Sequence, residues 1–202
     1  MSYRDEYEPN YAEDKANARE WARGILADDQ AMILDTETTG LSDDAELVQI
    51  AVIDVKGAVL LDTLVKPGQP IPPEATRIHG ITDADVATAM TWPEMAEMVR
   101  KLLRAASRVV IYNAEFDTRI MEQTCKGFGL PGIELRKDAR WSCAMHWYSQ
   151  WCGDWSDYHG NYRWQRLPGG GHSALSDAQA TLKVIQRMAA GPQTEEASDH
   201  AG

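Results

Sequence analysis

Hydrophobic and polar positions change rhythm several times along this 202-residue chain, and the changes mark its elements. Residues 11–27 are rich in Ala, Glu, Lys and Arg, with Trp21, Ile25 and Leu26 as a modest apolar stripe, and predict a charged helix preceding the core. From residue 31 the pattern turns to β over 31–36, 46–55 and 58–66, with Lys56-Gly57 as a tight hairpin turn. Pro67, Pro70, Pro72 and Pro73 break that pattern and lead into a loop or short helix up to Thr82. Thr91-Trp92-Pro93-Glu94 places proline in the first turn of a helix over 93–106. Val109-Val110-Ile111-Tyr112 reads as a buried strand, followed by a helix from about 115 to 127 that Gly127 and Gly129 can close. A short strand near 139–142, a helix over 143–151, an irregular stretch rich in Gly, Trp and Tyr over 152–171, and a last helix from about 173 to 190 complete the order. This order predicts an α/β sheet with helices on both faces, antiparallel in part because of the hairpin.

At 44% hydrophobic the chain is long enough for one well-packed domain and short for two. No segment approaches the apolar length of a membrane span, and the first residues lack the basic-then-apolar order of a secretion signal. Cys125, Cys143 and Cys152 are an odd count without a Cys-x-x-Cys pair, which fits reduced thiols and a cytoplasmic protein. The net charge of −11 is unevenly spread. Residues 1–30 hold eight acids against four bases, and Glu195, Glu196 and Asp199 add three acids near the end, so residues 31–192 carry −4. Such a balance argues against tight sequence-independent duplex binding, which rests on many phosphate contacts. It does not argue against a metal-dependent site that grips a few nucleotides.

Asp35 and Glu37 end the first apolar strand, where alternation points both side chains to one face. Asp117 follows the strand 109–112 in Asn113-Ala-Glu-Phe-Asp117, with Asn113 suited to capping the helix that begins there. His172 and Asp177, in His172-Ser-Ala-Leu-Ser-Asp177, open the last helix after a Gly-Gly-Gly stretch. Each piece has a plainer reading: a polar strand end, a helix cap, a surface histidine. Together, four carboxylates and a histidine suit two hard divalent cations, magnesium or manganese, with a general base beside them. Histidine as a residue type titrates nearest to neutral pH, as such a base requires.

The order of these motifs resembles the DEDDh branch of the DnaQ-like 3′-to-5′ exonucleases, a group within the ribonuclease-H-like superfamily. The matching elements are Asp35-Thr-Glu37-Thr-Thr-Gly40, Ile78-His79-Gly80-Ile81-Thr82, Asn113-Ala-Glu-Phe-Asp117 and His172-Ser-Ala-Leu-Ser-Asp177-Ala. The resemblance implies a mixed five-stranded sheet with helices on both faces. It makes residues 31–190 the exonuclease domain, 1–30 a charged helical extension and 191–202 an acidic flexible tail. It also implies that Asp35 bridges two cations, that Glu37 and Asp177 hold the one that activates water, and that Asp117 supports the other. His172 would take the proton from that water. Backbone around Thr38 and the side chain of Leu41 would meet the terminal nucleotide, with Asn113, His79 and Phe116 near the end of the strand.

The stretch between Asp117 and His172 departs from that pattern. It holds Trp141, Trp147, Trp151, Trp155 and Trp164, five of the seven tryptophans. Trp147 and Trp151, four apart, read as the buried stripe of a helix. Trp155, Tyr158, Tyr162 and Trp164 are candidates to stack on unpaired bases, and Arg163 and Arg166 to meet phosphates. Cys143, His146, Cys152 and His159 offer zinc-type donors, yet lack the paired short spacings of zinc modules.

The expected activity is release of nucleoside 5′-monophosphates from single-stranded DNA or 3′ ends. Its alternatives are a 3′-to-5′ exoribonuclease on short or structured RNA, a ribonuclease-H-type endonuclease, and a proofreading or accessory subunit of a polymerase or repair complex. The last could dock a protein partner through residues 1–30.

Overall fold

The structure, a computed structural model, describes residues 9–133 and 141–191. The acidic residues expected at 195–199, and the first residues of the strand expected near 139–142, lie outside that range. The chain begins with α1 (Tyr11–Leu26), then runs through β1 (Ala31–Thr38), β2 (Leu47–Asp54) and β3 (Val59–Leu64). Two short helices, α2 (Pro73–His79) and α3 (Asp83–Val86), precede α4 (Trp92–Ala105), β4 (Arg108–Ile111) and α5 (Ala114–Gly127). Then come β5 (Trp141–Cys143), α6 (Ala144–Cys152), a hairpin of β6 (Trp155–Ser156) and β7 (Asn161–Tyr162), and α7 (Ala174–Ala190).

The main sheet has five strands in the order β3-β2-β1-β4-β5. β1 pairs antiparallel with β2 and parallel with β4, so the mixed sheet expected from the sequence is present. At the β2–β3 turn, the Asp54 carboxylate accepts from the backbone N–H of Lys56 and of Ala58, each at 2.8 Å. Gly57 supplies the left-handed conformation there (φ +88°), which other side chains rarely adopt.

Alternation along the strands divides the core. Leu34, Ile50, Val52, Val109 and Ile111 face α4 and α5, where Trp92 is fully buried. Ile33, Ile53, Val110 and Tyr112 face α1, α6 and α7. Asp35 and Glu37 continue the second set, so they point toward α7.

The helix expected ahead of the core is part of it. Ala18, Ala22 and Ile25 are at most 1% exposed and pack with α6 and α7, while Trp21 and Leu26 lie at the margin of that cluster. Small residues four apart let α1 approach closely, a signal weaker than the aromatic and aliphatic positions beside it. Trp21 stacks on Trp147 with centroids 5.5 Å apart, and its indole N–H donates to Ser142. Asp14 accepts from the Tyr162 hydroxyl at 2.6 Å, which ties α1 to the β6–β7 hairpin. Among the described residues no helix is long and apolar enough to cross a membrane.

Candidate active site

The carboxylates converge where β1 and β4, running parallel, reach their C-terminal ends. In open α/β sheets this is where helices depart and a crevice opens. A cleft of about 530 Å³ forms there, and Asp35, Glu37, Asp117, His172 and Asp177 all line it. Oxygens of Asp35, Glu37 and Asp177 lie within 4.8 Å of one another. Asp117 enters from the first turn of α5, 4% exposed, and accepts from the Thr36 hydroxyl at 2.7 Å.

Gathering these acids in one buried place disturbs them. Burial holds Asp35 well above the usual carboxylate range, and the charges of Asp117, Asp177 and Glu37 push the same way. Glu37 is pushed up to about 7, first by burial and then by Asp177 and Asp117. Burial also raises Asp117 to about 7, against the opposing hydrogen bond from Thr36. The donor set is all oxygen, charged and crowded, which fits hard divalent cations.

Asp177 also shapes the loop in front of it. Its Oδ1 accepts from the backbone N–H of Gly171 at 2.7 Å, from that of His172 at 3.2 Å, and from the Ser176 hydroxyl at 3.1 Å. His172 adopts φ +56°, uncommon for a residue other than glycine, and lines the cleft. A Cβ on Gly171 would meet Ser176 Oγ at 2.9 Å, so glycine is what lets this loop approach α7. Gln49 on β2 was not singled out in the sequence. Beside Glu37 in the ladder, it accepts from the Ala174 N–H at 3.1 Å and fixes the start of α7 against the sheet.

The other expected contacts are spread around this centre. Asn113 and Phe116 line the cleft. Asn113 holds the cap position of α5, but its side chain makes no capping hydrogen bond. His79 lies behind the end of β1: Ile81 N–H donates to its Nδ1, so its Nε2 carries the proton and donates to the Thr38 carbonyl at 3.2 Å. Burial lowers its pKa from the ordinary histidine value. Thr38 is buried and its hydroxyl donates to the Gly40 carbonyl at 2.8 Å. Leu41 is 79% exposed just beyond it.

The aromatic stretch sorts into two groups. Trp151 is buried and Trp147 stacks on α1, as their helical spacing predicts. Tyr162, expected among the strand contacts, is buried instead: its hydroxyl bonds Asp14 and its ring meets Tyr11 and Trp155 edge-on. Tyr158 and Trp164 remain open at 93% and 71% exposure. Arg163 pairs with Asp154 at 3.4 Å, whereas Arg166 lines the cleft. Cys143 donates to the Tyr112 carbonyl and His146 bonds Gln150, and among the described residues the metal-type cluster is Asp35, Glu37 and Asp177.

Known proteins resemble this chain in sequence and fold. The RNase_T family model, described as exonuclease, matches residues 32–185. Over 187 residues the chain is 43% identical to the "Uncharacterized exonuclease CP81" of Escherichia phage 186, spanning 86% of this chain and 93% of that protein. It is 33% identical over 114 residues to exodeoxyribonuclease 10 of Escherichia coli (strain K12), spanning 56% of this chain and 44% of that one. Among solved structures, Exonuclease X in complex with 5′ overhanging duplex DNA aligns with a TM-score of 0.54 at 27% identity, over 80% of this chain and 94% of that one. E. coli exonuclease I in complex with a dA16 oligonucleotide aligns at 0.61 and 17% identity, over 77% of this chain and 40% of that one, a likeness of fold alone.

Proposed function

This chain belongs to the RNase_T exonuclease family, and from that premise we propose that it releases nucleoside 5′-monophosphates one at a time from the 3′ end of single-stranded DNA. The observation that carries this reading is the convergence of Asp35, Glu37 and Asp177 within 4.8 Å, with Asp117 and His172 on the same cleft. Asp35, Glu37, Asp117 and Asp177 would hold two divalent cations, magnesium or manganese. When bound, such ions supply charge stabilisation to both the attacking and the leaving oxygen of an in-line displacement.

The chain's own groups do the rest. His172, on the exposed wall, takes a proton from the water that attacks phosphorus. The bond from phosphorus to the 3′ oxygen breaks, leaving a 3′-hydroxyl on the shortened strand and a 5′-phosphate on the released nucleotide. Asn113 and Phe116 border the terminal nucleotide, and Leu41 offers it an exposed apolar surface beyond Thr38. His79 acts at one remove, by bonding the Thr38 carbonyl at the strand end. Tyr158 and Trp164 offer open aromatic faces to unpaired bases farther along.

Product analysis on 5′-labelled and 3′-labelled DNA and RNA, with and without chelator, tests this reading. A ladder shortening from the 3′ end, dependent on divalent cation and faster on DNA, is expected. Full cation-dependent hydrolysis by Asp35→Ala or Asp177→Ala would sink it.

A further inference from the structure

Four carboxylates and one histidine line the cleft, and one cationic residue lines it with them. Among the described residues that line the cleft, Arg166 is the lone lysine or arginine. The residue is exposed, and its backbone is nevertheless held by its neighbours on both sides. On one side the Tyr112 hydroxyl, at the end of β4, donates to the Gln165 carbonyl at 2.7 Å. The Gln165 amide then donates to the Arg163 carbonyl at 2.9 Å. On the other side Leu167 packs against the core shared by α1, α6 and α7. An exposed arginine whose backbone is pinned at both flanks is a presented group, not a drifting one.

Arginine favours phosphate because its planar guanidinium offers paired donors and keeps its charge. Arg163, three residues earlier, has its charge engaged by Asp154, which leaves Arg166 for the substrate side. Building on the exonuclease reading above, we propose that Arg166 binds a backbone phosphate of the 3′-terminal segment and draws the strand into the carboxylate-lined cleft. It is a substrate-binding residue that sets affinity for the strand, separate from the groups that hold cations or move the proton. A contact to phosphate carries no base information, so it serves any sequence.

The test uses Arg166→Ala and Arg166→Lys in the full chain. Kinetics on a single-stranded oligonucleotide with magnesium should show KM raised ~10- to 100-fold in Arg166→Ala, the size expected of a lost charge-assisted hydrogen bond. Lysine should recover part of it, and kcat should move less than KM. Strand binding is then read by fluorescence anisotropy across a potassium chloride series in a His172→Ala background, which keeps the carboxylates and slows cutting. Losing one phosphate contact should lower the slope of log affinity against log salt by about 0.7. Unchanged KM and affinity in Arg166→Ala would overturn the proposal. So would weaker binding with an unchanged salt slope, which marks a structural role, or identical behaviour of the Ala and Lys variants. If the unaltered chain shortens strands from the 3′ end while Arg166→Ala matches it, this proposal alone falls; if the unaltered chain shortens none, both readings fall.

Discussion

Asp35, Glu37 and Asp117 sit on β1 and α5, whose backbones are ordered by their own ladder and helical bonds. His172 and Arg166 sit instead on the irregular strap between β7 and α7, which is placed by side chains reaching across to it. Tyr112 holds Gln165, Asp177 holds Gly171 and His172, and the hairpin leading into the strap is tied to α1 through Tyr162. The floor of the cleft is therefore part of the sheet, and its wall is an attachment. On the proposed reading this separates two tasks: cation ligands need fixed spacing, while a base and a strand contact can sit on a segment tuned independently.

Breaking one region and then the other should give different failures. Asp35→Ala removes the ligand expected to serve both cations, so hydrolysis should fall to background and cation binding by calorimetry should be lost. His172→Ala should lower kcat by ~10²- to 10⁴-fold while cation binding persists. Loss of cation binding in His172→Ala would show that floor and wall are not separable. Gly171→Ala probes the joint between them. The added Cβ would stand 2.9 Å from Ser176 Oγ, so the loop must move and carry His172 with it. A misplacement of that kind should lower kcat roughly 10- to 100-fold with the ligands intact. Unchanged kinetics would mean that the loop's fit to α7 does not set the position of the base.

The same contrast explains what could be read without coordinates. The floor was legible because each acid ends a strand or opens a helix with a clear apolar rhythm. Alternation alone put Asp35 and Glu37 on one face. The wall was not, because it depends on pairings such as Tyr162 with Asp14 that no local rhythm encodes. β6 and β7 are two residues each, too short for a period, so Trp155 and Tyr162 read as free aromatics. Residues 11–27 looked like a charged helix preceding the core because their buried face is built on Ala18 and Ala22. Gln49 gave no signal, since a polar residue in a strand looks like surface until α7 is seen above it.

The floor's crowding predicts a pH effect when no divalent cation is present. Folding raises Glu37 from 4.5 and Asp117 from 3.8 to about 7, so between these limits the folded chain keeps protons that the unfolded chain has released. Their contribution to stability is complete below about pH 4 and is lost as pH rises through about 7. In chelator, the melting temperature should fall by several degrees from pH 5 to pH 8, since a domain of this size shifts by about 2–4 °C per kcal/mol. Magnesium should restore it at pH 8 by binding the ionised cluster. A melting temperature that rises over this range in chelator would show that the acids are not crowded in solution.

The gentlest change falls on the wall's distant anchor. Tyr162→Phe keeps the buried ring, with its edge contacts to Tyr11 and Trp155, and removes the hydroxyl that donates to Asp14. Removing one partner of a buried hydrogen bond to a charged group destabilises by about 1.5–3 kcal/mol, or roughly 3–12 °C in melting temperature. If the hairpin transmits α1 to the strap, the same variant should also weaken strand binding slightly while leaving cation binding untouched. A cycle with Asp14→Asn should then show the two substitutions coupled by at least about 0.5 kcal/mol. Additive effects on stability and none on strand binding would make α1 a support for the core alone. In that case the hydrogen bonds that position the wall would be those from Tyr112 and Asp177 on the cleft side.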